Sequence, residues 1–148
     1  MNQRLNYKQS APAVFNAMLK LQAVVNASGL DPRLQELVKI RASQVNGCAF
    51  CLNMHTQAAR KLGEVEQRLY QLDAWRDSQL YSERERAALA WTEAVTRISH
   101  EAVSDTLYQQ ARAQFSEAEL TQLTLAVIAI NGWNRLNIAF RVPPGATG

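Results

Sequence analysis

Cysteine is almost missing from this chain, with two among 148 residues, too few for the disulfide framework of a small secreted scaffold. The two sit three positions apart, at Cys48 and Cys51. A bond across so small a loop restricts the unfolded chain little, so a purely stabilising cross-link is a poor reading. Long apolar runs are also absent. The longest, Leu123 to Ile130, falls far short of the ~20 residues that cross a bilayer. The N-terminal MNQRLNYKQS lacks the apolar segment of a secretion signal. The expectation is a cytoplasmic protein with reduced thiols and no membrane association. There is no basic stripe either. Sixteen Lys and Arg against 13 Asp and Glu give a net charge of +3, and the cations interleave with acids, as in SERERAA. A nucleic-acid partner is therefore not expected. No segment alternates polar and apolar residues with the period of a strand, and no repeat recurs.

What is present reads as helix. Ser10-Ala11-Pro12 opens a first one whose apolar positions include Phe15, Met18, Leu21 and Val25, closed at Gly29. Asp31-Pro32 caps a second that runs to Asn46-Gly47, and a third extends from Cys48 to Leu62 before Gly63. A short helix follows from Val65 to Leu72. Ser82 and Glu85 form a capping box, Ser104 caps another helix, and Ser116 with Glu119 opens the last. The reading is an all-α fold of six or seven helices in one domain over 1–148, with its core at about 10–142 and a loose tail at 143–148. The last helix is apolar nearly all round, which places it at the domain centre or in a subunit interface. Asn131, Asn134 and Asn137 form a polar strip along it. Hydrogen bonding between helices or subunits is the favoured role of that strip, ahead of lining a substrate cavity.

Chemistry concentrates in one stretch, NGCAFCLNMH. On a helix, Cys48, Cys51, Leu52, His55, Ala59 and Leu62 share a face. Cys51 and His55 are neighbours across one turn, and Cys48 sits at the helix start, where free N–H groups favour a thiolate. Glu36 lies eleven residues before the Gly47 turn, about 16 Å down the preceding helix, and His55 about 10 Å down the returning one. A Glu36–His55–Cys51 relay with Cys48 as second sulfur is geometrically reasonable. A surface ion pair of Glu36 with Arg33 or Lys39 is the plainer reading of that residue. Zinc lacks a fourth ligand, since His100 is the only other histidine, so no metal is expected. Inert buried thiols are a second reading, and a redox dithiol is the leading one. The Lys39, Arg41, Arg60 and Lys61 cluster offers a competing source of thiol activation through general positive potential.

The spacing of Glu36, Cys48-x-x-Cys51 and His55 resembles the alkylhydroperoxidase D (AhpD) branch of the carboxymuconolactone decarboxylase family. LDPRLQELVKIRASQVNGCAFCLNMHTQAARKLGE is similar to that family's two central helices, ERAALAWTEAVTRIS to the segment that follows, and EAELTQLTLAVIAINGWNRLNIAF to its closing helix. The resemblance implies a helical fold assembled as trimers or hexamers. It implies a thiol-dependent peroxidase or disulfide reductase acting on alkyl hydroperoxides in antioxidant defence, with no cofactor beyond the cysteine pair. By the same resemblance Cys51 attacks the peroxide, Cys48 resolves the sulfenic acid, and His55 with Glu36 relays protons. Electrons would come from an external thiol donor, lipoyl-bearing or thioredoxin-like, and a peroxiredoxin is a further expected partner. One position departs: Phe50 stands where some peroxidatic members carry a histidine. The alternatives are a decarboxylase-like lyase, which does not depend on a redox cysteine pair, and a non-enzymatic thiol redox sensor.

Overall fold

Polar caps and left-handed turns set where the helices of this chain begin and end. A computed structural model describes residues 2–145. Its elements are α1 (Tyr7–Ser10), α2 (Pro12–Asn26), α3 (Pro32–Asn46), α4 (Ala49–Lys61), α5 (Glu66–Tyr70), a single 3₁₀ turn (Leu72–Ala74), α6 (Glu83–Thr96), α7 (Asp105–Gln114) and α8 (Glu117–Ala139). No strand occurs among the described residues. Asp31, Ser82, Ser104 and Ser116 each accept a backbone N–H at a helix start, and the boxes completed by Glu85 and Glu119 are both closed. Among the described residues there are eight α-helices, one more than the upper end of the expected six or seven. The addition is α1, one turn capped by Asn6, too short to carry an apolar period. Its Tyr7 is buried, so the packed structure reaches back before residue 10. Part of the expected loose tail, 146–148, lies outside the described residues.

The position of α3 governs the site. It packs against α4, α6 and α8, and ten consecutive residues from Leu34 to Ser43 are buried. A helix enclosed on three sides buries its polar positions as well, so Gln35, Glu36, Lys39 and Arg41 all go inside. Each charge there has a partner, as burial demands. Arg41 donates to Glu93 at 2.7 Å and to Asp73 at 2.5 Å, and Glu93 also accepts from the Trp75 indole at 2.8 Å. Apolar packing fills both flanks. Leu34, Val38, Phe115, Leu123 and Val127 form one cluster, and Leu37, Ile40, Leu72, Trp75 and Leu89 another.

α8 buries Leu120, Leu123, Val127, Ile130, Asn134 and Asn137 while Ile128 stays 51% exposed. The asparagine strip faces inward and joins helices within the subunit. Asn134 donates to the Ser43 hydroxyl at 3.0 Å, and Asn46 donates to Asn131 at 3.0 Å and to Asn134 at 2.9 Å. Asn134→Ala removes one partner from two groups and leaves a small void. It should lower unfolding free energy by about 1–3 kcal/mol in urea titrations. A loss below about 0.5 kcal/mol, the range of surface substitutions, would show that the strip does not hold α3 to α8.

Candidate functional site

Gly47, at φ 72°, turns α3 back into α4 and so brings two helices that are polar in sequence into one buried seam. Cys48 is the N-cap of α4. Its sulfur accepts the Cys51 N–H at 3.3 Å, a role usually filled by a serine or threonine oxygen. Cys51 lies in the first turn and His55 in the next. Both sulfurs are buried and joined as a disulfide, with Cα atoms 5.4 Å apart. Ala59 continues this inward face, but Leu62 does not. α4 ends at Lys61, so the chain has left the helical screw and Leu62 is 44% exposed.

Glu36 reaches across the seam. One carboxylate oxygen meets His55 Nδ1 at 2.8 Å and the other meets the Lys39 ammonium at 2.9 Å, with Glu36 8% exposed and His55 9%. The surface ion pair expected from sequence is thus half right. Lys39 is a partner, but the carboxylate is interior and shared with His55, while Arg33 turns instead toward Glu64, 4.0 Å away. Burial works against the charged carboxylate; the hydrogen bonds and charges of His55 and Lys39 outweigh it and hold the Glu36 pKa below its ordinary value. An ionised Glu36 accepts, so the shared proton sits on His55 Nδ1 and Nε2 is the nitrogen left to exchange protons. Among the described residues no hydrogen bond joins His55 directly to either sulfur.

A second contact was not legible in the sequence. Asn137 of α8 directs its amide Nδ2 at the Cys51 sulfur, 3.6 Å away, and its Oδ1 accepts from the Tyr7 hydroxyl at 3.1 Å. The reverse amide orientation would face an oxygen toward an electron-rich sulfur. Burial raises the Tyr7 pKa, which keeps it a phenol and a donor. The regular asparagine spacing on α8 marked the helix face, but nothing in sequence tied it to Cys51 or to Tyr7. Three members of the basic cluster are held by other acceptors. Lys39 serves Glu36, Arg41 serves Glu93 and Asp73, and Arg60 donates to the Glu64 carbonyl at 2.6 Å. His100 lies exposed in the turn after α6. No helix among the described residues is long and apolar enough to cross a membrane.

The profile of the carboxymuconolactone decarboxylase family matches residues 12–94. YdfG of Bacillus subtilis (strain 168), an uncharacterized protein, is 43% identical over 139 residues, which cover 94% of this chain and 95% of YdfG. YnjA of Escherichia coli (strain K12), also uncharacterized, is 34% identical over 117 residues, 78% of this chain and 63% of YnjA, so the match spans just under two thirds of that relative. A crystal structure from Agrobacterium tumefaciens, of a protein of unknown function described as a candidate antioxidant defence protein AhpD, is similar with a TM-score of 0.95. Its identity is 40%, and the match covers 99% of this chain and 100% of that one.

The Glu36 geometry sets a pH dependence. A carboxylate whose pKa is depressed on folding adds stability above its unfolded value and loses it as pH falls through the folded one. Oxidised wild type should therefore exceed Glu36→Gln in unfolding free energy at neutral pH, and the gap should narrow as pH falls below the ordinary carboxylate range. Urea titrations from neutral pH to below that range check it; a gap independent of pH would mean that Glu36 is not held by charge.

Proposed function

The chain belongs to the AhpD-like branch of the carboxymuconolactone decarboxylase family, and from that premise we propose that it is a thiol-dependent peroxidase that also reduces disulfides. The observation that carries the reading is the buried, charged Glu36 bonded at 2.8 Å to a histidine one turn along α4 from the Cys48–Cys51 pair. In the reduced protein Cys51 attacks the terminal peroxide oxygen as a thiolate. The O–O bond breaks, the alkoxide takes a proton from the relay and leaves as an alcohol, and Cys51 becomes a sulfenic acid. Cys48 attacks that sulfur, the disulfide forms and the hydroxyl departs as water. An external thiol donor then restores both thiols. The roles of the chain's own residues follow from their contacts. Glu36 fixes the imidazole with Nδ1 protonated, Nε2 exchanges protons with Cys51 through water, and the Asn137 amide stabilises the thiolate.

A peroxide-reduction assay with dihydrolipoamide as donor tests this. Wild type should turn over and Cys51→Ser should not, whereas a lyase would survive loss of the cysteines. Glu36→Gln and His55→Ala should each lose about 10²-fold, with the double variant little worse than the poorer single, because coupled acid–base groups are not additive. Asn137→Ala should lose less. Equal turnover in wild type and Cys51→Ser would overturn the proposal.

The same reading makes the chain a homo-oligomer, trimer or hexamer. α2 packs on α8, and each helix leaves a large apolar residue exposed, Val24 at 59% and Ile128 at 51%, apolar surface suited to a second copy. Light scattering at micromolar concentration should return at least three chains, and the mass of a single chain would contradict it.

A further inference from the structure

A pocket of about 320 Å³ opens at the start of α4, and of the two cysteines only Cys48 is among its described lining residues. Phe50, Ile138 and Pro143 make its walls apolar; the Asn137 amide and Arg141 are its polar groups, and Arg141 is the one charged residue in its described lining. None of the ion pairs among the described residues includes Arg141.

The backbone at Arg141 is the second observation. At φ 53° it is the one non-glycine residue at positive φ among those described. Val142 donates to the Asn137 carbonyl at 2.9 Å and Arg141 to that of Ile138 at 3.2 Å, a helix stop in which the left-handed position is ordinarily glycine. A side chain there is disfavoured by contact of its Cβ with the backbone. Arginine stands where the helix stop alone would select glycine, and it adds a cationic residue to the lining of the pocket that Cys48 also lines.

We propose that this pocket admits the thiol that reduces the Cys48–Cys51 disulfide, and that it takes an apolar thiol bearing a carboxylate, which Arg141 pairs. The proposal rests on the dithiol reading above. The incoming thiolate attacks Cys48 Sγ and forms a mixed disulfide. The Cys48–Cys51 bond breaks, and its electron pair leaves on Cys51, whose thiolate meets the Asn137 N–H at the first turn of α4. A stabilised thiolate is the better leaving group, which favours attack at Cys48 over attack at Cys51. Cys51 then takes a proton. A second molecule of the thiol attacks the external sulfur of the mixed disulfide, releasing the small disulfide and Cys48 as a thiolate that is protonated in turn. Two thiols are oxidised and one protein disulfide is reduced.

The test uses the oxidised full chain with mercaptohexanoate and mercaptohexanol, thiols alike in length and differing in charge. The ratio of their second-order reduction rates is compared between proteins, which cancels the intrinsic reactivity of each thiol. Wild type should favour the carboxylate about threefold to fivefold over Arg141→Gln, as expected for one partly exposed ion pair, and added salt should erase the difference. Arg141→Gly should lose the same preference without a fall in thermal midpoint, because glycine suits the left-handed position; this separates carboxylate pairing from a structural role. Acid quenching followed by peptide mass spectrometry should find the mixed disulfide on Cys48. An adduct on Cys51, or a ratio that is the same in wild type and Arg141→Gln, would overturn the pocket proposal and leave the dithiol reading standing. If no thiol reduced the disulfide, both would fall.

Discussion

A carboxylate enclosed between helices keeps its charge only while hydrogen-bond donors reach it, and Glu36 is reached from two directions. Lys39 approaches from the next turn of α3, and His55 from across the seam on α4. Removing either partner would leave charge without its counterpart in the interior, the situation that makes broken buried pairs strongly destabilising. The contact therefore sets the register of α4 against α3. Because Cys48 and Cys51 lie on the same face of α4 as His55, that register also sets where the sulfurs sit relative to the base. The interaction that holds the seam together is the one the proposed proton relay uses.

The surroundings of the sulfurs point to chemistry more than to stability. A disulfide across three residues restricts the unfolded chain little. Cys48 also occupies the N-cap of α4, where sulfur is a weaker acceptor than an oxygen. Neither feature gives the fold much. What the arrangement supplies is a thiol pair at a helix start, with Asn137 donating to Cys51 and Tyr7 holding that amide in place. α1 and α8, from opposite ends of the chain, close over a hairpin formed by its middle. The site exists only when the whole domain is folded.

The sequence made the helices legible because their starts are written in short polar caps and proline, which act locally. The spacing of Glu36, Cys48, Cys51 and His55 was legible for the same reason, since helical geometry converts separation along the chain into height along the seam. Burial was not. α3 contains Gln35, Glu36, Lys39 and Arg41 among ten buried positions, and such a segment looks like a solvated face until α4, α6 and α8 are placed around it. The asparagine strip on α8 was visible as a pattern, yet the hydrogen bond from Asn137 to Cys51 spans 86 residues and has no local signature. The basic cluster shows the converse: Lys39, Arg41 and Arg60 are close in sequence, but each is claimed by a different acceptor.

In the proposed relay Glu36 activates Cys51 through His55, where general positive potential around the thiols would be the other source of activation. The alkylation rate of Cys51 in the reduced protein, followed against pH at two ionic strengths, separates them. If the relay operates, Glu36→Gln slows the reaction near neutral pH and salt changes it little, because the groups are buried and screened weakly. If positive potential operates, removing a negative charge leaves the rate unchanged or raises it, and salt suppresses it strongly. A Glu36→Gln rate at or above that of wild type would contradict the account.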